Sequence, residues 1–484
     1  MKIQGSGGAM LGIDIGTSSV KALLLDLQGH TLAVSKAAYP VASPRPGWSE
    51  SDPEDWWRGT VTAVHAVQAQ VPQTQIVALG LSGQMHGVVL VTANEQVVRP
   101  ALLWSDTRAT AELDLYRQLP AATLQRLANP LVPGMAGPLL RWLALHETAS
   151  YQQARWALQP KDWIRLRLTG KIITEASDAS GTLLYDLPAD NWAHDVIEAL
   201  ELRRELFPTL MASSASAGTL TTRAARELDL PVGLPVAAGA ADTAAAALGT
   251  GLLTPGTMQL TIGTGAQLIK ICEQPQSDPN LLTHLYRAAD GSHWYAMAAV
   301  QNAGLALDWV CRVLHASWDE LYASAEQIVP DLEHGFFLPY VTRERPHHAN
   351  PHSQAAWLHL RIDQQRVHLL HAALEGVAFG IREALTALPG SDQTIPLRLA
   401  GGGGQHPAWQ KMLATILQRE LILLEAPDAS ARGAALLGGL ANGTWPDIAS
   451  LNTLAPRPVS RILPDTQLRE LYTRRYARFL ASGD

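Results

Sequence analysis

The sequence predicts an α/β chain of two domains built from duplicated halves, on three observations. At 484 residues the chain exceeds one ordinary core, since domains run to roughly 150 residues. Two stretches about half a chain apart repeat one pattern. LGIDIGTSSVKALLLD (Leu11 to Asp26) and MQLTIGTGAQLIKI (Met258 to Ile271) share I-G-T between apolar runs, and aligning Gly16 and Thr17 with Gly263 and Thr264 offsets them by 247 residues. A third stretch, LRLAGGGGQHPAWQKMLATILQRE (Leu397 to Glu420), reads as strand, glycines and helix.

Taken in order, Met1 to Met10 carries GSGG and is set aside as a flexible lead or tag remnant. The halves are expected over 11–244 and 245–484. In the first, an apolar run, a Gly-Thr turn and a second apolar run read as a β-hairpin with a glycine tip. It is neither a Walker loop nor a Rossmann fingerprint. Such a tip still suits an anion, because backbone N–H groups near glycine converge on one point and hydroxyls add donors. Trp56 and Trp57 follow Asp52 and Pro53 in a helical-looking segment, where core packing is expected.

AAGAADTAAAALGTG (residues 237 to 251) has Asp242 as its one charge. Leu234 to Ala240 reads as a strand, Thr243 to Leu248 as helix and Gly249 as a stop. An Asp at that junction either caps the helix, for ~0.5–2 kcal/mol, or serves as a proton acceptor. The second hairpin repeats the logic of the first. In the third stretch Pro407 stands at a first helical turn, and Trp409, Met412, Leu413, Ile416 and Leu417 form the apolar stripe of an amphipathic helix. Strand, Gly401 to Gly404 and helix start make a nucleotide cradle, where backbone approaches the ligand and the helix terminus favours negative charge.

Composition bounds the partners. The chain holds 37 basic and 44 acidic residues, net −7, with neither sign collected in a block, which argues against nucleic acid or an anionic membrane and for a small molecule. There is no apolar run of membrane-spanning length and no secretory pattern, so a cytoplasmic location is expected. Cys272 and Cys311 lack metal or redox spacing. Sixteen histidines include no HExxH, and adjacent His347 and His348 would face opposite ways on a strand, so no zinc site is expected.

DIGTSSVK, GLSGQMHG (Gly80 to Gly87), the lone Asp242, TIGTGAQ, FLPYVTRERPHHANP and LAGGGG stand in that order, and together they resemble the FGGY carbohydrate kinase family from Leu11 to the end. The resemblance implies a duplicated actin-like, ribonuclease-H-like ATPase fold, two α/β domains around a cleft. It also implies transfer of the ATP γ-phosphate to a sugar hydroxyl with Mg²⁺. GQMHG points within the family to a ketopentose, first of all D-xylulose. By position Asp242 is the expected general base, and Gln84, Met85, His86, Asp106 and Thr243 the expected sugar contacts. Asp14 is expected near Mg²⁺ and the phosphates, in contact through water. Gly16, Thr17, Ser18 and Lys21 would face one side of the phosphates and Gly263 with Thr264 the other, while Gly402, Gly403 and Gly404 lie against the adenosine.

His86 reads equally as a structural imidazole, Asp106 as an exposed Asp-Thr turn, and Arg343 with Arg345 as a solvated loop or as phosphate neutralisers. The chain departs from the family pattern at Thr243 (often Asn), Gly265 (usually Ser), Leu139 (commonly Lys) and His359 (commonly Gly). Other sugars of the family (ribulose, gluconate, glycerol) and a non-catalytic sugar- and nucleotide-binding protein remain alternatives, and a homodimer stays open.

Overall fold

The computed structural model describes residues 8–342, 354–390 and 394–483. The apolar run around Ile13 forms β1 (Ala9–Ile15), buried throughout. Ala9 and Met10 thus belong to the sheet, and the strand begins inside the stretch set aside as a lead. The Gly16–Ser18 tip leads into β2 (Ser19–Leu25), antiparallel to β1 with Asp14 opposite Lys21, and β3 (Thr31–Ala38) extends the meander. Helix α1 (Pro53–Gln70) starts where Asp52 accepts the Glu54 N–H at 2.9 Å and Pro53 takes the first helical position. It buries Trp56 and Trp57 as expected.

β4 (Ile76–Gly83) runs parallel to β1. After α2 (Pro160–Thr169) come β5 (Ser216–Thr219), β6 (Pro235–Ala237), β7 (Ala240–Ala241) and α3 (Asp242–Gly249). The strand expected over 234–240 is therefore interrupted. Gly239 takes φ +90°, a left-handed conformation that glycine adopts without steric cost, and β7 then pairs with β4, Ala240 beside Ser82 and Ala241 beside Gly83.

Further along lie β8 (Met258–Ile262), β9 (Ala266–Cys272) and β10 (Trp294–Val300), then α4 (Gly304–Val313), α5 (Trp318–Gln327) and α6 (Arg366–Ala387). β11 (Leu397–Ala400), α7 (Pro407–Leu417) and β12 (Leu421–Leu424) follow. The chain ends with α8 (Ala429–Ala441), β13 (Pro458–Ile462) and α9 (Arg469–Gly483).

Two compact units result, one of residues 1–253, 286–294 and 428–455, the other of 254–285, 295–427 and 456–484. The first unit's sheet runs β5-β6-β4-β1-β2-β3 with β7 beside β4; in the second, the strands run β10-β9-β8-β11-β12-β13. In each, a glycine-tipped antiparallel hairpin has a parallel strand beside its first strand: β1 next to β4, and β8 next to β11. This is the duplication read from the sequence, in mixed α/β form. Among the described residues no helix is long and apolar enough to cross a membrane.

α8 packs within the first unit on β1, β4 and α3, and glycines set how closely. A Cβ on Gly12 would lie 1.9 Å from the Ala431 carbonyl oxygen, one on Gly80 1.9 Å from that of Ala434, and one on Gly433 1.8 Å from that of Ala245. These are backbone atoms that no rotamer change can move. Gly12→Ala is accordingly expected to cost about 3 kcal/mol, read as a lowered urea midpoint, and a loss below about 0.5 kcal/mol would contradict this packing.

Candidate active site

In the first unit the parallel strands β1, β4 and β7 end side by side, with Asp14 beside Ser82 and Ser82 beside Ala240. Ligands of open α/β sheets bind at such carboxyl ends. Asp14 is buried, and the Ser82 hydroxyl donates to its Oδ1 at 2.6 Å. Burial raises the Asp14 pKa, Ser82 and Lys21 oppose that, and Asp428 adds to it. Lys21 pairs with Asp428 at 2.7 Å. At the hairpin tip the Tyr39 hydroxyl donates to the Gly16 carbonyl, Gln84 Nε2 donates to the same oxygen at 3.3 Å, and Trp104 Nε1 donates to Thr17 Oγ1 at 2.9 Å. Ser18 is exposed.

Asp242 is the first residue of α3, and Ala241 is the N-cap. The carboxylate therefore does not cap the helix as the sequence suggests. Its Oδ1 accepts from the neighbouring Thr243, at 2.6 Å from N–H and 3.3 Å from the hydroxyl. Although the residue is partly exposed, desolvation, with the Asp14 charge second, pushes its pKa up to about 7, against weaker opposition from Thr243. Loss of hydration outweighs the single backbone N–H and the hydroxyl that Thr243 offers. A carboxylate so poised exchanges protons near neutrality, which suits a general base.

Gln84, Met85 and His86 follow β4 directly. His86 takes φ +73°, its Nδ1 lies 2.5 Å from the Gly181 carbonyl oxygen, and its ring centroid is 6.1 Å from that of Tyr286. A carbonyl only accepts, so Nδ1 is the protonated nitrogen. Gly181 leaves room for both side chains, since a Cβ there would lie 2.9 Å from Met85 Cε and 3.0 Å from His86 Cε1. Asp106 is fully buried, which corrects the exposed-turn reading. It accepts from Ser49 N–H at 2.7 Å and from Arg108 Nη2 at 2.8 Å, and Arg108 in turn lies 3.6 Å over the Trp48 ring. A guanidinium neutralises the carboxylate and allows the turn to pack inside.

In the second unit, a cavity of about 350 Å³ is lined by Gly263, Thr264, Asp308, Trp318, Tyr322 and Gly403, among others. The Gly263–Gly265 tip is closed by a 2.8 Å hydrogen bond from Gly263 N–H to Gly265 O, and Leu305 N–H donates to Thr264 O at 2.8 Å. Gly402 is exposed and a Cβ there would meet nothing within 4 Å, whereas Gly404 is buried against Leu399. Two departures from the family pattern find a local account. A Cβ at Gly265 would lie 2.7 Å from the Val300 carbonyl oxygen, and His359, where Gly is common, takes φ +57°. Leu139 is wholly buried.

Sequence reasoning missed Ser82, Tyr39, Trp104, Asp428, Trp318 and Tyr322. Ser82 alone carried a signal, standing inside GLSGQMHG. Arg343, Arg345, His347 and His348 lie outside the described residues. Cys272 and Cys311 are free thiols. Among the described residues no group of three or more His, Cys, Asp or Glu is gathered to hold a metal. The donors at Asp14 nevertheless fit Mg²⁺, which takes one or two carboxylates and completes its shell with water and phosphate oxygens.

Comparison with known proteins gives consistent results. The family described as FGGY family of carbohydrate kinases matches through its N-terminal domain over residues 9–249 and its C-terminal domain over 258–442. The chain is 33% identical to the xylulose kinase of Escherichia coli (strain K12) over 97% of each chain, and 34% identical to that of Klebsiella pneumoniae over 89% of each. A solved structure of a xyloylose kinase from Brucella ovis superposes with a TM-score of 0.91 at 34% identity, covering 98% of both chains.

Proposed function

Since the chain belongs to the FGGY family of carbohydrate kinases, we propose that it phosphorylates a ketopentose, D-xylulose, using ATP and Mg²⁺. The observation that carries the mechanism is Asp242, one carboxylate in an apolar run, raised to about 7 beside Asp14. Similarity to xylulose kinases at 26–34% identity favours this sugar.

Phosphoryl transfer asks the protein mainly for positioning and charge neutralisation. In the proposed reaction Met85 and His86 hold the sugar, and Asp242 takes the proton of the attacking hydroxyl. The hydroxyl oxygen bonds to the γ-phosphorus as the bond to the β–γ bridging oxygen of ATP breaks, giving ADP and the sugar phosphate. Thr243 N–H and Oγ1 fix Asp242 Oδ1, leaving the other oxygen to receive the proton. In the first unit, Gly16, Thr17, Ser18 and Lys21 are the proposed phosphate contacts. In the second, described by itself, Gly263 and Thr264 are proposed for the nucleotide's phosphates and Gly402 and Gly403 for its adenosine. Asp14 would hold Mg²⁺ through water, and the ion would supply neutralisation of phosphate charge. A cytoplasmic location belongs to the same reading, because the donor is ATP.

A coupled ADP-release assay across D-xylulose, D-ribulose, L-ribulose, gluconate and glycerol tests the substrate. D-xylulose is expected to show the highest kcat/KM, and a clear preference for another sugar would refute the assignment. Gly402→Leu tests the nucleotide side. With open space at that position, the variant is expected to keep its Tm and to raise the KM for ATP about tenfold. An unchanged KM would remove Gly402 from the site.

A further inference from the structure

We propose that Ser177 is a positioning residue for the phosphoryl transfer, holding the main chain at Ala241 and through it the direction of the Asp242 carboxylate. The inference rests on the reading of Asp242 as the base. Ala241 is the N-cap of α3, at a helix end whose backbone N–H groups need outside partners. Ser177 Oγ accepts the Ala241 N–H at 2.9 Å. The serine's own proton goes to Glu175 Oε1 at 2.9 Å, so its rotor is set and a lone pair faces the loop.

Glu175 is itself immobilised. It accepts from Ser177 N–H at 2.7 Å, Asp178 N–H at 2.9 Å and Ser213 Oγ at 2.8 Å, and Lys161 Nζ lies 3.2 Å away. Lys161 also pairs with Asp162 and Asp178, each at 2.8 Å. A second strut comes from α2, where Arg165 Nη1 donates to the Ala238 carbonyl at 2.7 Å and to Asp162 at 2.8 Å. A third is backbone, Gly239 N–H to Ser213 O at 3.0 Å. The residues just before Asp242 are thus pinned to a wholly buried cluster of charges.

Such a cluster is a poor device for stability alone, because desolvating ions offsets much of their attraction and apolar packing does as well. Its use here is geometric. Charge-assisted hydrogen bonds are short and directional, and a displacement of about 1 Å at a reacting group can cost on the order of 100-fold in rate.

The test compares Ser177→Ala with Thr60→Ala, which also removes one buried hydroxyl, the one that donates to Trp56 O at 2.8 Å within α1, and with Asp242→Asn, in the ADP-release assay on the full chain. Ser177→Ala is expected to lower kcat about tenfold or more with both KM values within about threefold of wild type, while Thr60→Ala loses similar Tm and keeps kcat. A Ser177→Ala kcat within twofold of wild type, or an equal loss in Thr60→Ala, would overturn the proposal. Should Ser177→Ala not accumulate folded, Ser177→Cys, similar in shape and a weak acceptor, replaces it under the same criterion. Asp242→Asn separates the two claims. If it stays active the base assignment fails, and if it is inactive while Ser177→Ala is normal, only the positioning role fails.

Discussion

Asp242→Asn is expected to lower kcat about 10²–10⁴-fold, the contribution of a positioned general base, and to make the protein more stable above pH 7. The folded carboxyl has its pKa raised from 3.8 to about 7, by desolvation first and Asp14 second. Between those values the folded state binds more protons than the unfolded one, so stability falls as pH rises from about 4 to about 7 and stays lower above. An amide escapes that loss. Because the residue is partly exposed, the gain is discounted to about 1–2 kcal/mol. In the wild type, kcat/KM should fall as pH drops below about 7, when the base becomes protonated. Thermal melts at pH 5 and pH 8, with rates across the same range, check both. A variant that loses activity and stability together at pH 8 would mean that Asp242 is structural.

Asp14→Asn is expected to lower kcat about 10²-fold or more through lost charge opposite the phosphates and cation, and to raise the Mg²⁺ concentration giving half-maximal rate. The fold should survive, because the amide oxygen can still accept from Ser82. The variant should also move the acid limb of the wild-type pH profile to lower pH, since Asp14 is one of the two influences that raise Asp242. Steady-state rates titrated with Mg²⁺ and pH test this. An unmoved limb would mean that Asp14 does not act on Asp242.

The chemistry-bearing stretches were legible because their signals are local. Glycine between apolar runs marks a hairpin tip, and both tips formed. The 3.6-residue stripe of α7 is buried at Trp409, Met412, Leu413, Ile416 and Leu417. A lone Asp between a strand and a helix was visible without any structure. What misled the reading was equally physical. An Asp before a helix resembles a cap in one dimension, but the cap position fell to Ala241, and whether Asp106 lies in or out depended on Arg108 and Ser49 meeting it.

By itself, then, the sequence determined the hairpin tips, the glycine-led cradle, the isolated carboxylate and, through the ordered motifs, the family. The tertiary structure alone decided that Asp14 meets Ser82, 68 positions away, that α8 from the far end of the chain joins the first unit, and that Ser177 reaches Ala241. The reason is that turns and stripes follow from torsions and periods within a few residues, whereas a proton's affinity and a donor's partner follow from burial and from strands brought into register across long separations.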